Sequence, residues 1–245
     1  ITNNNLQNCT SWGLYYQYGT PASINNNTLT GSSNGLYLQS ATSFTLTAPT
    51  QSGPNKNYFG GHTGNVLQIA SSNSVNVSNW DFSTLAAPPL NTRTPFLVGN
   101  TNNSIFDANI STGMNTAIRF DGNNSNNTIS NSNMSGSGFG IWLNNGNDPN
   151  FTITNNNLQN CTSWGLYYQY GTPASINNNT LTGSSNGLYL QNASTFTLGT
   201  NTFGNQNGTS INLQSCTAVN VTNANTSGNG GHGILINASN NCVIN

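Results

Sequence analysis

Apolar residues return along this chain at intervals near 23. An apolar anchor opens a short β-like stretch at Ile1, Ile24, Leu46, Val77, Ile105, Ile129, Ile153, Ile176, Leu198, Val221 and Ile244, with two wider gaps at 46–77 and 77–105. An h-x-h stretch follows, usually 12 or 13 residues on, as in Leu14-Tyr15-Tyr16, Leu36-Tyr37-Leu38, Ile141-Trp142-Leu143 and Ile234-Leu235-Ile236. A third apolar position comes five residues or so after the anchor, at Leu6, Leu29, Phe82, Ile110, Met134, Leu158, Leu181 and Phe203. Runs this short with period-two alternation are strands with one face buried. Strands of three to five residues at this spacing stack coil upon coil, each covering the open face of the one before. The prediction is an all-β parallel solenoid.

A longer repeat lies over the short one. Residues 1–46 return as 153–198 with 43 of 46 positions identical, the exceptions being 40/192, 42/194 and 43/195. Internal repetition decides architecture before local propensity does. It sets one domain, 1–245, of about 10–11 coils, near 1–23, 24–45, 46–76, 77–104, 105–128, 129–152, 153–175, 176–197, 198–220 and 221–243. Insertions at 47–65 and 81–95 fall at one point of adjacent coils and are expected to form a lateral loop lobe. It gathers Lys56, His62, Trp80, Asp81 and Arg93 as contact candidates, since long loops carry function more often than walls do.

The repeated I-x-N-N-x-L … G-h-x-h pattern resembles the right-handed parallel β-helix repeats of the pectin-lyase-like superfamily. The resemblance covers essentially the whole chain and implies the right-handed winding. It implies no single activity, because that superfamily holds lyases, hydrolases, adhesins and structural proteins. Gly231-His232-Gly233 resembles the G-H-G element of its polygalacturonases, yet the paired-Asp and downstream basic motifs of those enzymes are missing here. His232 stands at the coil position of Trp12, Phe139 and Trp164, a bend before glycine, and is read as a bend residue.

Composition narrows the chemistry. The chain has three Lys and Arg, four Asp, no Glu and 51 Asn, for a net charge of −1. Nucleic acid is not an expected partner, because binding phosphates needs several cations on one face. No apolar run approaches the roughly 18–20 residues of a membrane-spanning helix. Cys9, Cys161, Cys216 and Cys242 are expected as buried free thiols, with a disulfide as the second reading. No metal site, nucleophile elbow or phosphate loop is visible, so no cofactor and no catalytic residue is assigned and the chain is expected not to be an enzyme. Asp121 and Asp148 sit in turn sequences.

Two columns stand out. Asn recurs two residues after the anchor at Asn3, Asn26, Asn79, Asn131, Asn155, Asn178 and Asn223, and continued alternation points it inward as a ladder of stacked amides. The outward middle residue of h-x-h is aromatic at Tyr15, Tyr37, Trp142, Tyr167 and Tyr189, a stripe suited to binding or association. The outward Thr, Ser and Asn of the first strand resemble ice-binding solenoids, a remote alternative. Duplicated coils favour functions of length. The leading expectation is an extracellular structural solenoid, a repeat segment of a surface fibre, filament or adhesin, self-associating by coil stacking and lateral contact. Its rival is a carbohydrate-binding or carbohydrate-processing module, with surface glycans as partner. Because the chain starts and stops within a repeat, it is also expected to be a processed product or a segment of a longer protein.

Overall fold

The computed structural model describes residues 1–46, 58–82, 94, 96–110, 113–144 and 146–245, with only the main chain of 58 and 79–82. Its strands pair in parallel throughout, each with its counterpart one coil away. The longest sheet has ten strands: Trp12–Tyr16, Asn34–Gln39, Leu67–Ala70, Phe96–Gly99, Thr116–Asp121, Phe139–Asn144, Trp164–Tyr168, Asn186–Gln191, Ile211–Gln214 and Ile234–Asn237. A second sheet carries Thr42–Leu46, Asn73–Phe82, Ile105–Ile110, Thr128–Ser130, Thr152–Thr154 and Ser175–Asn177. Ser194–Leu198, Thr217–Val221 and Val243–Ile244 form a further three-stranded sheet. The third side consists of Asn5–Gln7, Thr28–Thr30 and Tyr58–Gly60, continued by single bridges from Asn109 through Asn133, Asn157, Thr180 and Thr202 to Asn225.

The h-x-h positions register as the spacing predicts. Leu14, Leu36, Leu67, Phe96, Ile118, Ile141, Leu166, Leu188, Ile211 and Ile234 succeed one another coil by coil. With Leu29, Met134, Leu158, Leu181 and Phe203 from the third side they fill one continuous core. All four cysteines are free thiols, Cys161 and Cys216 buried, Cys9 and Cys242 partly so.

Two expectations about placement change. Tyr58–Gly60 pairs with Thr28–Thr30, Phe59 opposite Leu29, so residues 58–65 belong to the coil wall and not to a lobe. Likewise Asp81 and Phe82 end the strand Asn73–Phe82, opposite Asn109 and Ile110. The remainder of both insertions lies outside the described residues.

The amide ladder exists one residue later than alternation places it. Asn3, Asn26, Asn131, Asn155, Asn178 and Asn223 hold φ between 53° and 60°, and all but the half-buried Asn26 are exposed. Asn79 is described by its main chain alone. A left-handed residue turns the chain through a corner, so alternation does not carry across it, and asparagine tolerates that conformation better than most residues. The next side chain then faces inward. Asn156 donates from both its N–H and Nδ2 to Asn179 Oδ1 at 3.0 and 2.9 Å, and Asn179 does the same to Asn201 Oδ1 at 3.0 and 2.9 Å. Asn4 and Asn27 repeat the arrangement in the first copy, at 3.1 and 2.9 Å. Stacked amides thus satisfy each other and the corner main chain at once.

Candidate functional site

On the outer face of the ten-stranded sheet, Tyr15, Tyr37, Gln68, Leu97, Arg119, Trp142, Tyr167, Tyr189, Asn212 and Leu235 stand in one row. All five stripe aromatics are in it. Tyr15 and Tyr37 stack with centroids 4.5 Å apart, and Trp12 meets Tyr37 edge-on at 5.2 Å. The second copy reproduces this: Tyr167 on Tyr189 at 4.4 Å, Trp164 edge-on to Tyr189 at 5.5 Å. Trp142 links the second platform to the middle of the row, stacking on Phe139 at 4.5 Å and meeting Tyr167 edge-on at 6.1 Å. Six coil steps separate Tyr15 from Tyr167, about 29 Å at the usual strand spacing of ~4.8 Å.

Flanking rows extend the platforms, and the stripe pattern does not contain them. Trp12, Phe139 and Trp164 lie two residues before the inward anchor of their strands. Amides line the other side, with Gln17 Nε2 donating to Gln39 Oε1 at 2.8 Å and Tyr189 Oη to Gln191 Oε1 at 3.1 Å. Reading the 23-residue period two positions either side of h-x-h would have found both. Burial, followed by the neighbouring Tyr167, pushes the Tyr189 hydroxyl up to about 12, so it stays a neutral donor at physiological pH. The one ion pair among the described residues sits mid-row: Arg119 Nε donates to Asp121 Oδ1 at 2.8 Å, and the guanidinium carbon lies 4.8 Å from the Trp142 ring.

The lobe candidates do not assemble into a site. Lys56 and Arg93 lie outside the described residues. Trp80 and Asp81 are wall residues, placed by their main chain opposite Ala108 and Asn109. His62 is 1% exposed, its Nδ1 3.2 Å from Ser32 O and its ring 6.2 Å from that of Phe59. The reason is local: Gly61 takes φ 65° and turns the next residue in, as Gly31 does for Ser32. A side chain so enclosed makes no external contact. His232 is exposed, two residues before Ile234 in the last strand of the long sheet. The threonine face is interrupted by Ile105, 43% exposed between Asn76 and Thr128.

A surface cleft of about 820 Å³ lies at the corner beside this sheet, lined by Asn123, Asn147, Pro149, Asn150, Tyr170, Thr172, Asn192 and Ser194 among others. Its lining carries no formal charge, and Tyr170 is 37% exposed. Under its rim lies Asp148, 1% exposed, with Oδ1 accepting from Asn124 N at 2.9 Å. Burial raises its carboxyl to about 7, Asp121 adds to the rise, and the bonds from Asn124 oppose it. Among the described residues no three of His, Cys, Asp and Glu converge as metal ligands, and no helix is long and apolar enough to cross a membrane.

Parallel coils, a single core and outward side chains held in rows define a repeat solenoid that displays columns of identical chemistry. The family described as the right-handed β-helix region matches residues 54–203 and, in an overlapping alignment, 96–245. The chain belongs to this right-handed β-helix family. Among curated proteins no match to the chain is found.

Proposed function

We propose that the chain is an extracellular structural β-solenoid, a repeat segment or subunit of a surface fibre, filament or adhesin. Its contact face is the outer row of the ten-stranded sheet, and its first partner is another copy of itself, by lateral contact and coil stacking. One observation carries the reading: the duplication sets the same Tyr-Tyr-Trp platform twice in one row. A binding face gains strength from repetition, because the second contact forms at high effective concentration. A reaction centre gains nothing from it. Near-zero net charge also favours association between copies. The described carboxylates Asp107, Asp121 and Asp148 belong to different coils, and Asp121 is held by Arg119. Negative-stain imaging and sedimentation over a wide concentration range test this, with the Tyr167→Ser/Tyr189→Ser variant beside the parent. Filaments or oligomers weakened in the variant are expected. A parent that stays monomeric at high concentration ends the proposal.

A second reading rests on the cleft beside Tyr170. Asn amides, Thr172 and Ser194 hydroxyls and an exposed ring suit a neutral, hydroxyl-rich ligand such as a glycan. Calorimetric titration with neutral oligosaccharides, repeated on Tyr170→Ala, separates the two: saturable heat lost in the variant favours the glycan, no heat favours self-association.

A further inference from the structure

Asp148 ends an interior column whose other members are uncharged. Ala41 N donates to Ser72 Oγ at 3.1 Å, Thr101 N to Asn124 Oδ1 at 2.9 Å, and Asn124 N to Asp148 Oδ1 at 2.9 Å. Ser72 Oγ, Asn124 Oδ1 and Asp148 Oδ1 thus each accept from the coil before. In the asparagines the second terminal atom is a donor. Asn124 Nδ2 reaches Asp121 O and Gly122 O at 3.2 Å each, Asn179 Nδ2 reaches Ile153 O at 2.8 Å, and Asn201 Nδ2 reaches Ile176 O at 3.0 Å. In Asp148 this atom is Oδ2, buried and without a hydrogen-bond partner among the described residues. An oxygen where the column uses a donor is satisfied by carrying a proton, since a buried unpaired charge is costly.

The charges around it favour the same state. From the preceding coil, Asp121 faces it with like charge, and Arg119 is engaged by Asp121. From the following coil come two neutral groups: the Tyr168 hydroxyl donates to Asp148 O, and Tyr170 O accepts from Asp148 N at 3.0 Å. Its own corner, 146–150, holds no other titratable side chain.

We propose that Asp148 is a proton-binding site inside the solenoid: as a carboxylic acid it completes the interior column, and its ionisation loosens the corner Asn147–Asn150. That corner is a wall of the 820 Å³ cleft and of a neighbouring groove of about 450 Å³ lined by Asn102, Asn123, Asn124, Ser125, Asn147 and Pro149. Proton loss at Asp148 therefore reshapes both. The folded chain holds this proton more tightly than the unfolded chain does, because the carboxyl is raised to about 7. Its contribution to stability is thus greatest in acid, falls as pH rises from the ordinary carboxylate range through about 7, and is level above that.

Thermal melting between about pH 4 and 9, on the parent, Asp148→Asn and Asp107→Asn, tests the proposal. The parent and Asp107→Asn are expected to melt at least ~5 °C lower at alkaline than at mildly acid pH, a shift typical of 1–2 kcal/mol in a domain this size. Asp148→Asn should lose that step, since both histidines and Asp121 are common to all three. The infrared carbonyl band of a protonated carboxylic acid should be present in the parent at about pH 6, and it decides the matter if Asp148→Asn does not fold. A level parent profile, or no such band, overturns the proposal. So does millimolar Ca²⁺ that raises the alkaline melting point of the parent and of Asp107→Asn but not of Asp148→Asn, which would make Asp148 a metal ligand.

Discussion

Tyr167 and Tyr189 lie ring on ring, 4.4 Å between centroids and 4° between planes, and Tyr15 and Tyr37 reproduce the pair at 4.5 Å and 4°. Their common spacing is the coil spacing itself: parallel pairing in register brings identical side chains to one interstrand distance. The rings are ordered by the sheet beneath them before any partner arrives.

Replacing Tyr189 with Ser removes the stack on Tyr167 and the edge contact with Trp164. The expected loss is about 0.5–1.5 kcal/mol of ring pairing per contact, small beside the stability of a long solenoid. Circular dichroism should show an unchanged β spectrum with a melting point a few degrees lower. Self-association measured by sedimentation should fall much more.

Neighbouring asparagines should respond in opposite ways. Asn179→Ala deprives Asn156 of its acceptor and removes the side-chain donor to Ile153 O, at about 2–4 kcal/mol. Asn178, exposed with φ 56°, sits where glycine is at ease, so Asn178→Gly should be within about 0.5 kcal/mol of neutral. Chemical denaturation of the two variants checks the phase of the ladder: equal losses would contradict it.

Gly35 and Gly187 are bound by close approach of main chain. A Cβ at Gly35 would lie 2.3 Å from Val66 O, and at Gly187 2.3 Å from Ser210 O. Alanine at either should force adjacent coils apart and destabilise strongly, by about 3 kcal/mol or more. Gly165→Ala, whose nearest contact is the Leu181 Cδ2 methyl at 3.0 Å, should cost less. Melting temperatures of the three variants give the order.

Cys9 and Cys161 share a sequence context but not an environment. Cys161 is 1% exposed and burial pushes its thiol up to about 11, whereas Cys9 is half-buried. A thiol reagent near pH 8 should modify Cys9 quickly and Cys161 only on unfolding. The flanking peptides are the same, so the assay is the stoichiometry of fast labelling in Cys9→Ser and Cys161→Ser: the first loses a fast site, the second loses none.

Much of the fold was legible because the period of 23 acts on every coil at once, and one misread coil changes little. The aromatic row was legible for the same reason, since h-x-h states both which side chain is in and which is out. The ladder was misplaced because alternation was continued through a corner. The correcting signal lay in the corner columns, where glycine and asparagine interchange between coils: Asn8 with Gly31, Asn160 with Gly183, Asn205 with Gly228, all at positive φ. Interchange of those two residues marks a left-handed turn, after which the next side chain faces inward. The rule places Ser32, Ser184 and Gln206 inside, and it places His62 there too, behind Gly61. Phe59 escaped notice because the preceding insertion hides its distance from Leu29. Asp148 reads as a turn residue in isolation; its role shows only when it is set 24 residues beyond Asn124 in the same column.

Residue 167 falls on the row of residue 15, so the 152-residue displacement of the duplicated block is a whole number of turns. Splicing in or deleting such a block alters the reach of the molecule without rotating its faces. Length becomes an adjustable dimension that recombination between near-identical segments can set, and every product keeps all its side chains pointing the same way round.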